Sequence, residues 1–155
     1  MSVFVNFAVA ESPENTVVGT WKLVKYADTA ANGKVTYPWG TEPSGILIYD
    51  SARNMAVQIQ RTPLLKIGST AESKLTRSTK VAMLESYTAY FGKYSVDWQK
   101  MTITHFVEGN LFPFYNGTAQ IKSFELIQDR LTLRVEWVEK GIAMKGVRVF
   151  ERSKP

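Results

Sequence analysis

The sequence predicts an all-β protein, an eight-stranded antiparallel up-and-down barrel with one helix inserted mid-chain. About eight segments are rich in β-branched and aromatic residues, most connections are short turns, and a single segment has helical spacing. Sequential antiparallel strands leave two unpaired edges, and pairing the first strand with the last removes both. A two-sheet sandwich is the alternative, although its crossing connections usually give less regular hairpin spacing.

The length and composition fit one domain without covalent staples. A chain of 155 residues buries roughly two-thirds of its unfolded surface. We expect an N-terminal extension over residues 1–17 and the barrel domain over 18–155. The chain has no cysteine, which excludes disulfides, thiolate zinc sites and a cysteine nucleophile, and fits a reducing compartment.

Charge and hydropathy exclude several classes of partner. The net charge of +5 comes from basic residues spread along the chain, so we expect no nucleic-acid binding. No stretch reaches the roughly 20 apolar residues of a membrane span. The apolar start, Met1–Ala10, lacks a positive region and contains Asn6, so we expect a cytoplasmic protein, with a trimmed secretion signal as the alternative. The oligomeric state stays open.

The first part of the chain predicts strands joined by tight turns. Asn32-Gly33 is a turn pair between the first two strands, and residues 50–54 join the next two into a hairpin. The predicted strands are Val18–Tyr26, Lys34–Tyr37, Gly45–Tyr49 and Met55–Arg61.

The middle of the chain changes its period. Residues 62–76 predict a loop, and from Arg77 to Phe91 apolar residues recur at helical spacing. We therefore predict a helix over Arg77–Phe91, capped by Ser78 or Thr79 and ended by Gly92. Its apolar stripe predicts a face that packs on the barrel or closes its mouth.

Strands return after the helix. An aromatic loop, Leu111–Tyr115, interrupts them, and Leu131–Trp137 alternates most cleanly between apolar and polar residues. The predicted strands are Lys93–Val96, Met101–Val107, Thr118–Ile127, Leu131–Trp137 and Lys145–Glu151.

A series of short motifs resembles a known family. Gly19-Thr-Trp21 resembles the Gly-x-Trp signature of lipocalins and the wider calycin group. The motifs after it stand in the order typical of the small lipocalin-like domain family, across roughly residues 18–152. They are Tyr37-Pro-Trp-Gly40, Gly45-Ile-Leu-Ile-Tyr49, Met55-Ala-Val-Gln58, Ala89-Tyr-Phe-Gly-Lys-Tyr94, His105-Phe-Val-Glu-Gly-Asn-Leu-Phe-Pro113, Gly117-Thr118 and Phe150-Glu-Arg152.

The resemblance implies structural roles for Gly19, Trp21 and Arg152. Trp21 would lie at the closed end of the barrel with the Arg152 guanidinium over its ring, a contact worth about 0.5–2 kcal/mol. Unlike secreted lipocalins, this chain lacks a disulfide pair and carries its helix mid-chain. Extracellular transport is therefore not implied.

Three residues are candidates for proton transfer. His105, the only histidine, alternates with Ile103 and Val107 and is expected to face inward, either as a hydrogen-bonded core residue or as a catalyst. Glu108 points to the opposite face unless Gly109 marks a bulge. It would then need an interior partner such as Lys122, Arg134 or Tyr94, and otherwise it is a solvated rim carboxylate. Tyr94 is the third candidate, and no residue pattern suggests a metal site.

Several polar and aromatic residues are candidates for ligand contacts. Gln58 lies in an alternating strand, so either the glutamines or the apolar residues beside them face inward. One inward polar group would orient a ligand. Large aromatic residues in loops would line the barrel mouth or plug it. They are Trp39, Phe112, Phe114 and Tyr115.

These observations favour binding over catalysis. The first hypothesis is a barrel that binds a small, largely hydrophobic molecule in its cavity. The alternative is a cofactor-independent isomerase or cyclase of secondary metabolism, acting on a polyketide- or terpenoid-like intermediate. A third is a structural barrel with a filled core. No phosphate loop, dinucleotide fingerprint or nucleophile motif is visible, so we expect no cofactor.

Overall fold

The computed structural model describes residues 17–68 and 72–154, and strands make up most of them. Among these residues, two short 3-10 turns, Glu72–Lys74 and Pro113–Tyr115, accompany one α-helix. In chain order the elements are β1 Gly19–Ala30, β2 Val35–Thr36, β3 Ser44–Tyr49, β4 Asn54–Gln60, α1 Arg77–Glu85, β5 Tyr87–Asp97, β6 Thr102–Asn110, β7 Ala119–Ile127, β8 Arg130–Glu139 and β9 Ile142–Arg152. The predicted N-terminal extension lies, except for Val17, outside the described residues.

The strands close into the predicted barrel. Neighbouring strands pair antiparallel in the order β1, β3, β4, β5, β6, β7, β8, β9, and β9 returns to pair with β1. The closing ladder runs from Trp21 opposite Arg152 to Ala30 opposite Met144. The two-residue strand β2 pairs with the far end of β1. The prediction of an eight-stranded up-and-down barrel with a mid-chain helix is confirmed.

The helix is shorter than predicted. It ends at Glu85, and the segment from Tyr87 to Phe91 belongs to β5, paired with β4. Extension of the helix to Phe91 was therefore wrong, because pairing with β4 outweighs a helical spacing in a segment rich in aromatic residues. Gly92 lies within β5, where a Cβ atom would clash with the Phe106 carbonyl oxygen.

Two further details of α1 differ from expectation. The cap is Thr76, whose Oγ1 accepts a hydrogen bond from the Thr79 amide at 3.2 Å, and not Ser78 or Thr79. None of the helix residues is buried, so the apolar stripe with Val81 and Met83 remains largely exposed. The helix consequently adds little to the core.

The two ends of the barrel are built differently. At the closed end, where β1 begins and β9 ends, the Trp21 side chain is fully buried and its Nε1 donates to the Val17 carbonyl at 2.9 Å. The Arg152 guanidinium lies 4.1 Å from the centre of the Trp21 ring. At the opposite end, here called the loop end, lie the longer connections 37–43, 61–86 and 111–118.

Gly19 makes room for that arrangement. Its φ is +142°, and a Cβ atom there would come within 2.9 Å of Arg152 Nη1. The same Nη1 donates to the Val18 carbonyl at 2.8 Å. The Gly-x-Trp motif and the C-terminal arginine thus form one packed unit.

Candidate ligand-binding site

The barrel interior contains buried charged and polar side chains as well as apolar ones. Alternation along the strands places them inward, next to the buried residues Ile103, Phe124 and Phe150. Four such side chains come from β1, β6, β7 and β9. They are Asp28, His105, Lys122 and Arg148.

His105 is fully buried between two tyrosines. Its Nε2 lies 2.7 Å from the Tyr49 hydroxyl, and its Nδ1 lies 3.1 Å from the Tyr90 hydroxyl. A neutral imidazole has one donor and one acceptor nitrogen, so one hydroxyl accepts a hydrogen bond and the other donates one. This satisfies both ring nitrogens, as expected of a hydrogen-bonded core histidine.

The same environment keeps these groups neutral. Burial, with a smaller contribution from the positive charge of Lys122, holds the pKa of His105 well below its usual value. Burial also raises the pKa of Tyr49 and of Tyr90. The three groups therefore act as neutral donors and acceptors at ordinary pH.

Tyr94, the third candidate for proton transfer, is directed elsewhere. Its ring lies beside Tyr49, with 4.5 Å between the ring centres. The Tyr94 hydroxyl donates to the Asp50 carbonyl at 2.8 Å, in the turn between β3 and β4. Tyr94 therefore supports the ring of Tyr49, and its hydroxyl is used at the closed end.

Glu108 lies outside the barrel. Phe91 pairs with Gly109 and Gly92 pairs with Val107, which leaves Glu108 as the extra residue of a bulge in β6. The side chain is nevertheless exposed and lines a depression on the outer surface beside Phe91. The bulge considered at Gly109 thus exists, but it does not turn the carboxylate inward, and a role as interior base is wrong.

Gln58 also faces outward, which corrects its assignment as a ligand contact. It is exposed, and its Oε1 accepts a hydrogen bond from the Tyr87 hydroxyl at 2.9 Å. Its neighbours Val57 and Ile59 are buried. The pairing of β4 with β3 and β5 therefore points the apolar side chains inward and the glutamines to the surface.

An ion pair that the sequence did not reveal joins the neighbouring strands β1 and β9 on their inner face. Arg148 Nη1 donates to Asp28 Oδ1 at 2.7 Å and to the Ala27 carbonyl at 3.0 Å. The guanidinium lies 3.4 Å from the centre of the Tyr26 ring. Gly146 leaves room for it, since a Cβ atom there would lie 2.5 Å from Arg148 Nη1. The sequence signal for an inward-facing Arg148 was its position in β9, two residues from Gly146 and two from Phe150, which places all three on one face of the strand.

Lys122 is the second interior cation. Only 8% of its surface is exposed, and its Nζ donates to Gln120 Oε1 at 3.0 Å. Within residues 17–68 and 72–154, no carboxylate lies within ion-pair distance of it. Burial, together with the charge of Arg148, lowers the pKa of Lys122 to about 8.

The predicted mouth aromatics lie at the loop end. Trp39 is half-buried against the core, with its ring centre 6.2 Å from that of Tyr26. Phe112 is half-buried, whereas Phe114 is 73% exposed and contacts Tyr115 in a tilted arrangement with ring centres 4.5 Å apart. All four residues lie at the loop end, and their contact with a ligand stays a prediction.

Other classes of site find no support in the described part of the chain. No group of three histidine, cysteine, aspartate or glutamate side chains in it could hold a metal ion. No helix among the described residues is long and apolar enough to cross a membrane.

Comparison with known protein families gives a match over most of the chain. The sequence model described as the lipocalin-like domain matches residues 18–152. No curated protein matches the chain.

Proposed function

The chain belongs to the lipocalin-like domain family, and on that basis we propose that it binds a small, largely hydrophobic molecule inside the barrel, entering from the loop end. An eight-stranded barrel has an interior wide enough for one small ligand. The family fold suits the binding of small molecules in general.

The observation that supports this proposal is that the solvent exposure of inward-facing side chains increases from the closed end to the loop end. Inward-facing residues toward the closed end, such as Leu47 and Leu131, are fully buried. Inward-facing residues toward the loop end are only half-buried, so solvent reaches them from that side. They are Tyr26, Tyr90, Gln120, Val135, Trp137 and Met144.

The lining there suits an amphipathic ligand. Tyr26, Trp39 and Trp137 offer aromatic surface, while the hydroxyl of Tyr90 and the amide of Gln120 offer polar contacts. A few placed polar groups in an otherwise apolar pocket are typical of small-molecule sites.

The test is titration with the neutral fluorescent dye N-phenylnaphthylamine. We expect saturable binding to one site, weakened roughly tenfold or more by Val135→Trp, because the indole would fill the accessible space. Val138→Trp is the matched control, since Val138 lies on the same strand and is 71% exposed. No binding to the unaltered protein, or equal loss in both variants, would contradict the proposal.

A second candidate function is proton transfer, as in a cofactor-independent isomerase or cyclase of a polyketide- or terpenoid-like intermediate. The observation in its favour is the hydroxyl of the half-buried residue Tyr90, which lies 3.1 Å from His105 Nδ1, with Tyr49 at the other ring nitrogen. A histidine that donates at one nitrogen and accepts at the other can pass a proton between two hydroxyls.

Isomerisation of a hydrophobic β,γ-unsaturated ketone to its conjugated form tests this second function, followed by the rise in enone absorbance. The unaltered protein should accelerate the reaction, and Tyr90→Phe should lose the acceleration while still binding the ketone. A rate equal to the uncatalysed one, or an unchanged rate in Tyr90→Phe, argues for binding alone.

A further inference from the structure

The charges of the barrel interior do not balance. Arg148 is paired with Asp28, with both side chains nearly buried at 11% and 12% exposure. Lys122 has no such partner among the described residues, and its contact is the neutral amide of Gln120. The two cations and one carboxylate leave one excess positive charge inside the barrel.

The neighbouring groups cannot compensate for that charge. His105 is satisfied by two tyrosine hydroxyls and stays neutral, as do Tyr26 and Tyr90. Charged residues are almost never buried without a partner, because a buried charge loses its hydration. Lys122 therefore occupies a position that stability alone does not favour.

Lys122 and Arg148 lie close enough for their positive charges to interact. An ammonium has three N–H groups, and Lys122 gives one of them to Gln120. Arg148 donates to Ala27, Asp28 and Val147 through Nη1, and its guanidinium also interacts with the Tyr26 hydroxyl. A lining rich in donors and positive in charge is complementary to an acceptor-rich anion.

We infer that the molecule bound in the barrel carries an anionic group, in the manner of a carboxylate, that pairs with Lys122 and is supported by the charge of Arg148. The inference rests on the proposed binding function. The apolar body of the ligand extends toward the loop end, because the closed end below is filled by side chains such as Leu47, Phe124 and Leu131. That orientation brings the body against the aromatic residues Trp39 and Trp137.

Two dyes of nearly the same shape separate the charge from the apolar body. Anilinonaphthalene sulfonate carries a sulfonate, and N-phenylnaphthylamine lacks it. Their dissociation constants are measured by fluorescence titration for the unaltered protein, for Lys122→Met and for Lys25→Met. Met keeps the length of the Lys122 side chain without its charge, and Lys25 is an exposed lysine on the outer face of β1. A thermal melt of each variant checks that it is folded.

We expect Lys122→Met to weaken binding of the sulfonate dye about ten- to hundredfold, the usual effect of losing a hydrogen bond to a charged group. The neutral dye should bind as before, and Lys25→Met should change neither. Dodecanoate should displace the sulfonate dye, whereas dodecanol should displace it far less.

Other results would overturn the inference. If Lys122→Met binds the sulfonate dye as tightly as the unaltered protein, the anion is not held at Lys122. Binding of the neutral dye alone refutes the anionic ligand and leaves the proposed function standing. Failure of both dyes to bind the unaltered protein contradicts the proposed function and the inference together.

Discussion

The closed end and the loop half of the barrel interior bury side chains of different kinds. At the closed end, Trp21 is fully buried, and Gly19 and Arg152 fit around its ring. In the loop half, Lys122 and Arg148 are nearly buried beside half-accessible aromatic residues. An unpaired charge in such a place costs several kcal/mol, whereas apolar burial is favourable. The first region therefore serves stability, and we propose that the second gives up stability for ligand binding.

Of the substitutions that distinguish the two regions, replacement of Trp21 should have the largest effect on the free energy of unfolding. Replacement by Ala removes a fully buried indole and its contact with Arg152, so the free energy of unfolding should fall by about 3–5 kcal/mol. Urea unfolding measures it. Phe91→Ala is the control, because Phe91 is 57% exposed and its loss should have a much smaller effect. Equal losses in both variants would mean that the closed end is not the stabilising region.

Lys122→Met should act in the opposite direction. The folded protein lowers the pKa of Lys122 to about 8, below the unfolded value, so the protonated amine opposes folding at pH 7. Met should raise the free energy of unfolding by about 1–4 kcal/mol at pH 7. The gain should shrink as pH rises from 8 through the unfolded pKa, because the lysine then becomes neutral in both states. A variant less stable than the unaltered protein at pH 7 contradicts this account.

A smaller effect is expected at His105, between the two regions. His105→Phe leaves the Tyr49 hydroxyl buried without its partner, which should lower the free energy of unfolding by about 1–3 kcal/mol. Adding Tyr49→Phe should recover part of that loss, and a double-mutant cycle measures the coupling. Additive losses would show that the hydrogen bond contributes nothing.

His105 also gives the protein a dependence on acid pH. Its pKa is lower in the folded state than in the unfolded chain, so the unfolded state binds the proton first. Stability from this group is complete above the unfolded pKa near 6.5 and falls as pH drops below it. Unfolding curves across that range should show the loss, and His105→Phe should remove it.

The barrel and the inward position of His105 could both be predicted from the sequence. Strand alternation and short turns reflect local constraints that every antiparallel barrel imposes. The helix end was misjudged because pairing of Tyr87–Phe91 with β4 is a long-range contact. Spacing within one segment cannot reveal such a contact.

The interior charges were harder to predict for a related reason. Val24 is an extra residue in β1, since Leu23 pairs with Phe150 while Lys25 pairs with Val149. This bulge shifts the inward register, so that Tyr26 and Asp28 face the interior with Arg148. A regular alternation from Trp21 would place Asp28 outside. For Gln58, the alternating sequence of β4 left open which face of the strand points inward, and only the pairing with neighbouring strands decides this.

The titration of Lys122 tests the central claim most directly. Burial lowers the pKa of His105 on β6 and raises the pKa of Tyr90 on β5 and of Tyr26 on β1, so these neighbours stay neutral while the lysine is followed. The other charged side chains of the interior are Arg148 on β9 and its ion-pair partner Asp28 on β1.

The measurement is an NMR pH titration of the Lys122 side chain, without ligand and then saturated with dodecanoate. Our account predicts a pKa of about 8 in the free protein and a higher pKa when dodecanoate is bound, because an adjacent anion favours the ammonium. A Lys122 pKa that is the same with and without bound dodecanoate would contradict the claim that the loop half of the barrel binds an anionic ligand.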